Sequence, residues 1–277
     1  MREITISAPA KINWSINVEG QRPDGYHLLR MLMQNISLAD TVHLRPAAYD
    51  SCYCDRPLAG EGENIALAAW RLLKQRYGIK ACLRIGIEKR IPIGAGLGGG
   101  SADAAAVLKG ASDLFELGLF AESLQQLGLQ LGADVPFALV GGLALVEGIG
   151  EQVTVLPAAP RIPLLLLNPG VTVATAAVYG NLAIGNMGKK ADIETLAFAL
   201  MQGDLAAIER AMANQLTGSC FQLFPPVAAL YQRVRDMRLP VLLSGSGGTL
   251  FAFGKDAAEA AKELSRSVPW LMLAETI

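Results

Sequence analysis

The chain has 277 residues, of which 52% are hydrophobic and 18% are charged, and its formal net charge at pH 7 is -1. A chain of this length buries about three quarters of the surface that it exposes when unfolded, which is enough for two modest domains or one large one. Because the charge is near zero and no basic cluster occurs, a nucleic-acid polymer and an anionic membrane surface are excluded as partners. A small-molecule ligand is favoured.

Alternating apolar and polar residues predict strands at the start of the chain, and helical periodicity follows. The N-terminus lacks the long apolar core of a signal peptide, and the most apolar run is too short to cross a bilayer, so we expect a cytoplasmic protein. In chain order we predict strands at residues 3–7, 11–18, 31–38 and 41–45, a helix at 64–77, a strand at 81–87, and helices from residue 101 and at 121–131.

A proline-rich stretch, Pro157-Ala-Ala-Pro160, predicts a domain boundary. It separates residues 1–157 from residues 158–277. In the second part we predict a strand at residues 164–167, helices at 175–182, 192–201, 205–213 and 227–237, strands at 241–244 and 249–253, a helix at 256–266 and a strand at 271–274.

The segment from Pro92 to Asp103 holds five glycines within seven residues and runs into an alanine-rich helix. Glycine takes positive φ without penalty and lets backbone N–H groups approach an anion, while the helix directs its free N–H groups and positive dipole end at the loop. A simple tight turn is the alternative. Each ordered glycine costs about 0.5–1 kcal/mol relative to alanine, so five of them are better explained by a phosphate-binding loop.

Three known types of phosphate-binding loop do not fit this segment. Gly94, Gly96 and Gly99 match G-x-G-x-x-G in form, but no strand leads directly into Gly94 and no acidic residue follows at a strand end about twenty positions later, as a dinucleotide site requires. The lysine of a P-loop is missing. The H-R-D and D-F-G motifs of protein kinases are missing too.

Other candidate residues have structural alternatives. Lys11 and Asn13 share one face of a predicted strand, which is either a site or a solvated face. Asp134 precedes Pro136 closely, so its carboxylate is either functional or only caps a helix. A second glycine-rich turn at residues 244–249 is either a plain hairpin turn or part of a cleft between domains.

The four cysteines predict no metal site and no disulfide framework. Cys52 and Cys54 are too close in sequence for the usual zinc spacing, and Cys82 and Cys220 are scattered. We therefore expect buried or free thiols.

Five motifs in this order resemble the GHMP small-molecule kinases over almost the full length of the chain. They are Ala8-Pro-Ala-Lys-Ile-Asn13, Arg22-Pro-Asp-Gly-Tyr-His27, the glycine-rich segment from Pro92, Gly132-Ala-Asp-Val-Pro136 and Gly245-Ser-Gly-Gly248. The resemblance implies an α+β, two-domain fold with the active site in the interdomain cleft. The N-terminal domain, which would be nucleotide-binding and catalytic, is expected to be ribosomal-S5-domain-2-like, and the C-terminal domain ferredoxin-like.

The resemblance also implies a reaction and its residues. Asp134 matches the family's catalytic base, and Lys11 matches the lysine that pairs with it and polarises the acceptor hydroxyl. The Pro-Asp-Gly-Tyr-His block is that of members acting on the 2-hydroxyl of a cytidine diphosphate-linked methylerythritol in the non-mevalonate isoprenoid pathway. By this resemblance Tyr26 and His27 would recognise cytosine, and Asn13 would help to hold the substrate.

The implied cofactors are ATP and Mg²⁺. Lys89 lies where the family approaches the adenosine of ATP, and Ser101 would lie near the phosphates and the metal, whose direct ligands stay unassigned. The matching nucleotide loop consists of Pro92, Ile93, Gly94, Ala95, Gly96, Leu97, Gly98, Gly99, Gly100, Ser101 and Ala102.

Three departures from the family pattern and two alternative functions stay open. Ala102 and Ala133 stand where relatives often have serine, and Asn214-Gln-Leu-Thr217 replaces a usual Asn-Asp-Leu-Glu. The first two departures could weaken hydrogen bonds in the loops, and the third could alter local geometry. The alternatives are a kinase of the same family acting on another small alcohol, and a non-catalytic nucleotide-binding regulator.

Overall fold

The computed structural model describes residues 3–56, 64–183 and 185–277 and has the expected α+β architecture. A seven-stranded mixed sheet and a four-stranded antiparallel sheet carry the helices. No helix within these ranges is long and apolar enough to cross a membrane. The elements of the first half are β1 (Ile4–Gln21), β2 (His27–Ala47), β3 (Ser51–Cys54), α1 (Ile65–Tyr77), β4 (Cys82–Glu88), α2 (Gly99–Leu114), α3 (Ala121–Leu131), α4 (Val135–Val140), β5 (Leu143–Gly148) and β6 (Gln152–Val155).

The second half completes both sheets. Its elements are β7 (Pro163–Asn168), α5 (Thr175–Gly180), α6 (Ile193–Gln202), α7 (Leu205–Ala211), β8 (Ala213–Asn214), α8 (Thr217–Leu223), α9 (Pro225–Asp236), β9 (Val241–Leu243), β10 (Leu250–Phe253), α10 (Ala257–Leu264) and β11 (Trp270–Glu275). The small sheet has the order β11-β7-β10-β9. The large sheet has the path β3-β4-β2-β1-β8, with β5 also paired to β2 and β6 paired to β5.

Four predicted strands at the N-terminus are two long ones in the structure. β1 and β2 form an antiparallel pair whose register shifts at three points, including one between Pro9 and Lys11. The sequence prediction ended the first strand at residue 7 and began the next at residue 11, which left Pro9 outside both strands. The structure instead accommodates this proline at an irregularity in the pairing, which is where sheets tolerate it.

Helices α1 to α4 pack with one part of the large sheet over an apolar core that includes Val42, Trp70 and Leu108. The alanine-rich α2 lies close to β1 and β2. A Cβ on Gly110 would come within 2.1 Å of Ile6 Cδ1 and 2.8 Å of Leu44 Cδ1. Small residues on α2 therefore set the approach of this helix to the sheet, and with it the position of the loop from which the helix starts.

The two halves of the chain share their cores. Leu164 and Leu166 of β7 belong to one cluster and Leu165 and Leu167 to another, so both faces of this strand are buried. This explains why β7 has an unbroken apolar sequence instead of an alternating one. The predicted boundary after residue 157 lies in the connection from β6 to β7 and stays a prediction.

Trp14 joins the two sheets at this shared core. Its ring meets those of Phe251 and Phe253 edge to face, with centroids 5.2 and 5.4 Å apart, and its Nε1–H donates to Gln34 Oε1 at 2.8 Å. Buried aromatic pairs of this kind add stability beyond the area that they bury.

We expect Trp14→Ala to lower the free energy of unfolding by about 3–5 kcal/mol, because a large cavity would form where both halves pack. The loss should appear in a single unfolding transition, measured by urea denaturation and followed by circular dichroism. Tyr53→Ala, at an exposed ring on β3, is the control and should change stability by less than about 0.5 kcal/mol. Two separate transitions in the Trp14 variant would contradict a shared core.

Candidate active site

A cavity of about 1210 Å³ lies between the glycine-rich segment, the start of β1, the β1–β2 turn and α5. It gathers nearly every residue that the sequence predicted for the site. Ala102 does not belong to this lining and is buried inside α2. The predicted residues that line the cavity are Lys11, Asn13, Tyr26, His27, Lys89, Pro92, Ile93, Gly94, Ala95, Gly96, Leu97, Gly98, Gly99, Gly100, Ser101 and Asp134.

The glycine segment combines a left-handed loop with a helix N-terminus. Gly94, Gly96 and Gly98 have φ between 64° and 77°, whereas Gly99 and Gly100 already belong to α2, two residues before the predicted start. The first backbone hydrogen bond of the helix runs from Ala102 N to Gly98 O. The N–H groups of residues 99–101 precede it and, among the described backbone contacts, have no acceptor, which leaves them available to an anion.

The second glycine turn holds this loop from the other half of the chain. It is the hairpin turn between β9 and β10, and Gly245 and Ser246 line the cavity, so the hairpin and the cleft interpretations both apply. Ser244 Oγ donates to Gly96 O at 3.0 Å. A Cβ on Gly96 would lie 2.3 Å from Ser244 O, so backbone touches backbone here and no other residue fits.

Lys11 is buried and directed at the loop, which rules out a solvated face. Its Nζ donates to Asn13 Oδ1 at 2.8 Å and to Gly96 O at 3.1 Å. Its side chain passes over Gly98, where a Cβ would lie 3.0 Å from Lys11 Cγ. The alternation of β1 thus places Lys11 and Asn13 together, as predicted, with Ile12 and Trp14 in the core.

Asp134 completes this group. It occupies the N-cap position of α4, but its carboxylate makes no capping hydrogen bond. Its Oδ2 lies 3.4 Å from Lys11 Nζ, and the side chain is 36% exposed to the cavity side of the molecule, compared with 7% for Lys11. The carboxylate is therefore free to act on a bound molecule next to a fixed positive charge.

The β1–β2 turn places two rings at another part of the cavity. Tyr26 is 59% exposed, and its N–H donates to Asp24 Oδ1. His27 is the first residue of β2, and its ring lies 5.2 Å from that of Tyr179 on α5. Burial and the charge of Asp134 raise the pKa of Tyr179, which keeps this phenol protonated. Sequence analysis missed Tyr179, because only the packing of α5 against the turn brings it there.

Lys89 lies in a buried cluster of charges. Its Nζ donates to Asp40 Oδ2 and, at 2.8 Å, to Asp103 Oδ2. Asp40 Oδ1 also accepts the N–H groups of Arg90 and Ile91 at 2.6 and 2.9 Å. The cluster fixes the segment that enters the glycine loop, and it leaves the ammonium of Lys89 already paired.

Asp103 is the anomalous member of this cluster. Burial raises its pKa to about 7, against the opposing effect of the Lys89 ammonium, and the charge of Asp40 raises it further. Its Oδ1 is buried without a hydrogen-bond partner. Burial lowers the pKa of Lys89, but Asp103 and Asp40 outweigh that effect and hold it above its usual value. Sequence analysis assigned no role to Asp103; the signal that could have found it is a lone carboxylate on an otherwise apolar helix face.

The oxygen donors near the loop suit Mg²⁺ in its usual mode. The described residues contain no cluster of three His, Cys, Asp or Glu side chains that could cage a metal. Mg²⁺ does not need one, since it keeps several waters and binds through one or two protein oxygens together with phosphates. The Ser101 hydroxyl at the start of α2 lines the cavity and can supply such an oxygen.

The structure gives the surroundings of the three departures noted in the sequence. Gln215 accepts the N–H of Val18 at 2.8 Å and donates to Gly188 O at 3.1 Å, and Asn214 donates to Leu243 O and Gly245 O. Asn214 thus supports the second glycine turn, whereas Gln215 ties β1 to the segment at Gly188. Ala133 is exposed beside Asp134, and Ala102 packs in the core.

All four cysteines are free. Burial raises the pKa of Cys52 and of Cys220 to about 12, which makes both thiols poor nucleophiles.

Comparison with known proteins identifies relatives of the whole chain. Residues 64–142 match the family described as GHMP kinases N terminal domain, and residues 196–267 match GHMP kinases C terminal. A protein of Caldicellulosiruptor bescii named 4-diphosphocytidyl-2-C-methyl-D-erythritol kinase is 38% identical over 98% of this chain and 97% of its own length. A protein of the same name from Acetivibrio thermocellus is 40% identical over 94% and 93%.

Solved structures give the same result. The crystal structure of a 4-(cytidine 5'-diphospho)-2C-methyl-D-erythritol kinase superposes with a TM-score of 0.83 at 36% identity and covers 99% of both chains. Homoserine kinase from Cytophaga hutchinsonii has a TM-score of 0.74 at 20% identity, over 100% of this chain and 98% of its own. At that identity the likeness concerns the fold alone, and it confirms the two-domain fold expected from the motifs.

The raised pKa of Asp103 predicts a pH dependence of stability. Between its usual value of 3.8 and about 7, the folded state binds a proton that the unfolded state releases, so stability falls as pH rises through this range. We expect Asp103→Asn to flatten this fall, measured as urea midpoints between about pH 5 and about pH 8. Asp113→Asn, at the exposed end of the same helix, is the control. Parallel slopes for wild type and Asp103→Asn would contradict the assignment.

Proposed function

The chain belongs to the GHMP kinase family, and from that premise we propose that it is an ATP-dependent kinase acting on 4-diphosphocytidyl-2-C-methyl-D-erythritol. It transfers the γ-phosphoryl group to the 2-hydroxyl of this alcohol, in the non-mevalonate pathway to isoprenoids. One observation carries the proposal. A single cavity joins the glycine loop, the Lys11–Asp134 pair and the Tyr26–His27 turn.

The glycine loop suits the triphosphate. The N–H groups at the start of α2 and the positive end of its dipole offer a fixed charge pattern for phosphate oxygens. Phosphoryl transfer requires little covalent help from the protein, so positioning and charge stabilisation supply most of the catalysis. Mg²⁺ bound with the nucleotide would neutralise phosphate charge, and the Ser101 hydroxyl at the start of α2 would help to hold it.

Lys11 and Asp134 suit the acceptor. In the proposed step the oxygen of the substrate hydroxyl attacks the γ-phosphorus, the bond from that phosphorus to the bridging oxygen breaks, and ADP leaves. Asp134 receives the hydroxyl proton as general base. The ammonium of Lys11, held by Asn13 and Gly96 O, stabilises the negative charge that develops on the attacking oxygen.

The β1–β2 turn suits the cytosine. A flat base can present its π face to Tyr26 or Tyr179 and its hydrogen-bonding edge to the imidazole of His27. Tyr26 belongs to the N-terminal half and Tyr179 to the C-terminal half, and both line the cavity. A base bound here would be contacted from both sides of the cleft.

Two alternatives remain distinguishable. Another small alcohol is the acceptor in other members of this fold, but the aromatic turn at Tyr26 and His27 supports a substrate with a base. A non-catalytic regulator would have no use for a buried lysine paired with a free carboxylate. An assay of ADP release with the cytidylated alcohol and a panel of other alcohols separates these functions.

We expect Asp134→Asn to lower kcat by about 10²–10⁴, since an amide cannot accept the hydroxyl proton. ATP binding, measured by calorimetry, should persist because the glycine loop is unchanged. Asp236→Asn makes the same chemical change at the exposed end of α9 and should leave kcat intact. Wild-type turnover in the Asp134 variant would remove this residue from the mechanism.

The chain has one histidine in the proposed substrate site, His27, and one outside it, His43, which serves as a matched control. We expect His27→Ala to raise the KM of the cytidylated alcohol by about 10-fold or more, the effect of losing a hydrogen bond in a bound complex, and to leave the KM of ATP nearly unchanged. His43→Ala alters a histidine that contacts Glu88 and Thr5 outside this cavity, so both KM values should stay as in wild type. Equal increases for both substrates in the His27 variant would refute a cytosine contact.

A further inference from the structure

The carboxylate of Asp134 has little to hold it in place. It makes no capping hydrogen bond, and its described ion pair is the 3.4 Å contact with Lys11. Its position therefore depends on the backbone that carries it, the short connection from α3 to α4. There the N–H of Gly132 donates to Gly128 O, and the N–H of Val135 donates to Gly132 O.

The β5–β6 turn presses against this connection. Gly150, which is buried, has a φ of 123°, and a Cβ on it would lie 2.4 Å from the carbonyl oxygen of Ala133 and 3.1 Å from the carbonyl carbon. The atom in the way is backbone, which cannot swing aside as the end of a side chain can. Gly150 is thus in direct contact with the residue that precedes Asp134.

The turn itself is braced. The N–H of Gly150 donates to Glu147 O at 3.2 Å, and the N–H of Ile149 donates to Glu151 Oε2 at 2.6 Å. Arg30 of β2 binds the Glu147 side chain at 3.1 Å. Because β5 also pairs with β2 along its length, the turn is anchored to the same strand that begins at His27.

We propose that the β5–β6 turn, residues 147–151, is the support of the catalytic loop and that Gly150 is a positioning residue for Asp134. This inference rests on the proposed function. By limiting how far the Ala133 carbonyl can move, Gly150 sets the separation of the Asp134 carboxylate from Lys11 and from the acceptor oxygen. Misplacement of a reacting group by about 1 Å costs on the order of 10²-fold in rate.

The test compares two glycines. Gly150→Ala must displace the Ala133 carbonyl. Gly142→Ala, at the other end of β5, also places an alanine at positive φ, here 71°, but nothing lies within 4 Å of its added Cβ. The two variants separate backbone strain, which both share, from contact with the catalytic loop, which only Gly150 makes.

We expect Gly150→Ala to lower kcat by about 10-fold or more with an unchanged KM for ATP, and Gly142→Ala to keep kcat within about 2-fold of wild type. Both are assayed well below their melting temperatures by ADP release with the cytidylated alcohol. If Gly150 had a purely structural role, both substitutions would lower stability and the two variants would have similar kcat values. Equal kcat values in the two variants would overturn the inference.

Two further outcomes are decisive. If Gly150→Ala is not recovered folded, Glu151→Gln loosens the brace on Ile149 without adding bulk; a several-fold fall in kcat at constant KM for ATP then supports the inference, and an unchanged kcat rejects it. If wild type releases no ADP with the cytidylated alcohol, the proposed function is wrong. If wild type is active and Gly150→Ala has the same kcat, the proposed function stands and the inference about Gly150 is wrong.

Discussion

The contact of Gly96 with the turn at residues 244–249 is the constraint on which the site depends. Backbone from the two halves of the chain touches here without a side chain between, and Ser244 and Lys11 both donate to Gly96 O. The glycine loop is therefore shaped by the C-terminal half even though its sequence belongs to the N-terminal half. Because the halves also share two apolar cores, the packing of the whole chain fixes the cleft between them.

Two lysines near this loop have different environments and so different uses. Lys11 contacts neutral acceptors and one partly exposed carboxylate, which leaves its charge available to a reacting group. The charge of Lys89 is matched by Asp40 and Asp103 in a buried cluster. Because its carboxylate partners neutralise the charge of Lys89, this ammonium exerts little net electrostatic attraction on a bound phosphate, and its role is to fix the chain.

Local patterns predicted the strongly periodic elements well. The glycine segment, the helix behind it and the alternation of Lys11 and Asn13 follow from rules that operate within a few residues. The β5–β6 hairpin and the short β3 and β8 were missed. Their segments are brief, and they became strands because neighbouring strands satisfied their backbone groups, which is a tertiary effect.

The sequence by itself determined the phosphate loop, the strand faces and the order of motifs that marks the family, because these depend on residue type and near-neighbour spacing. Only the tertiary structure decided that Tyr179 would face His27, that Asp40 and Asp103 would share Lys89, and that Gly150 would lie against the carbonyl of Ala133. Tyr179 and His27 are 152 positions apart in the chain, and even Lys89 and Asp103 are separated by 14. Their contacts exist because two sheets and their helices pack into one body, and no local pattern encodes the distance between such residues.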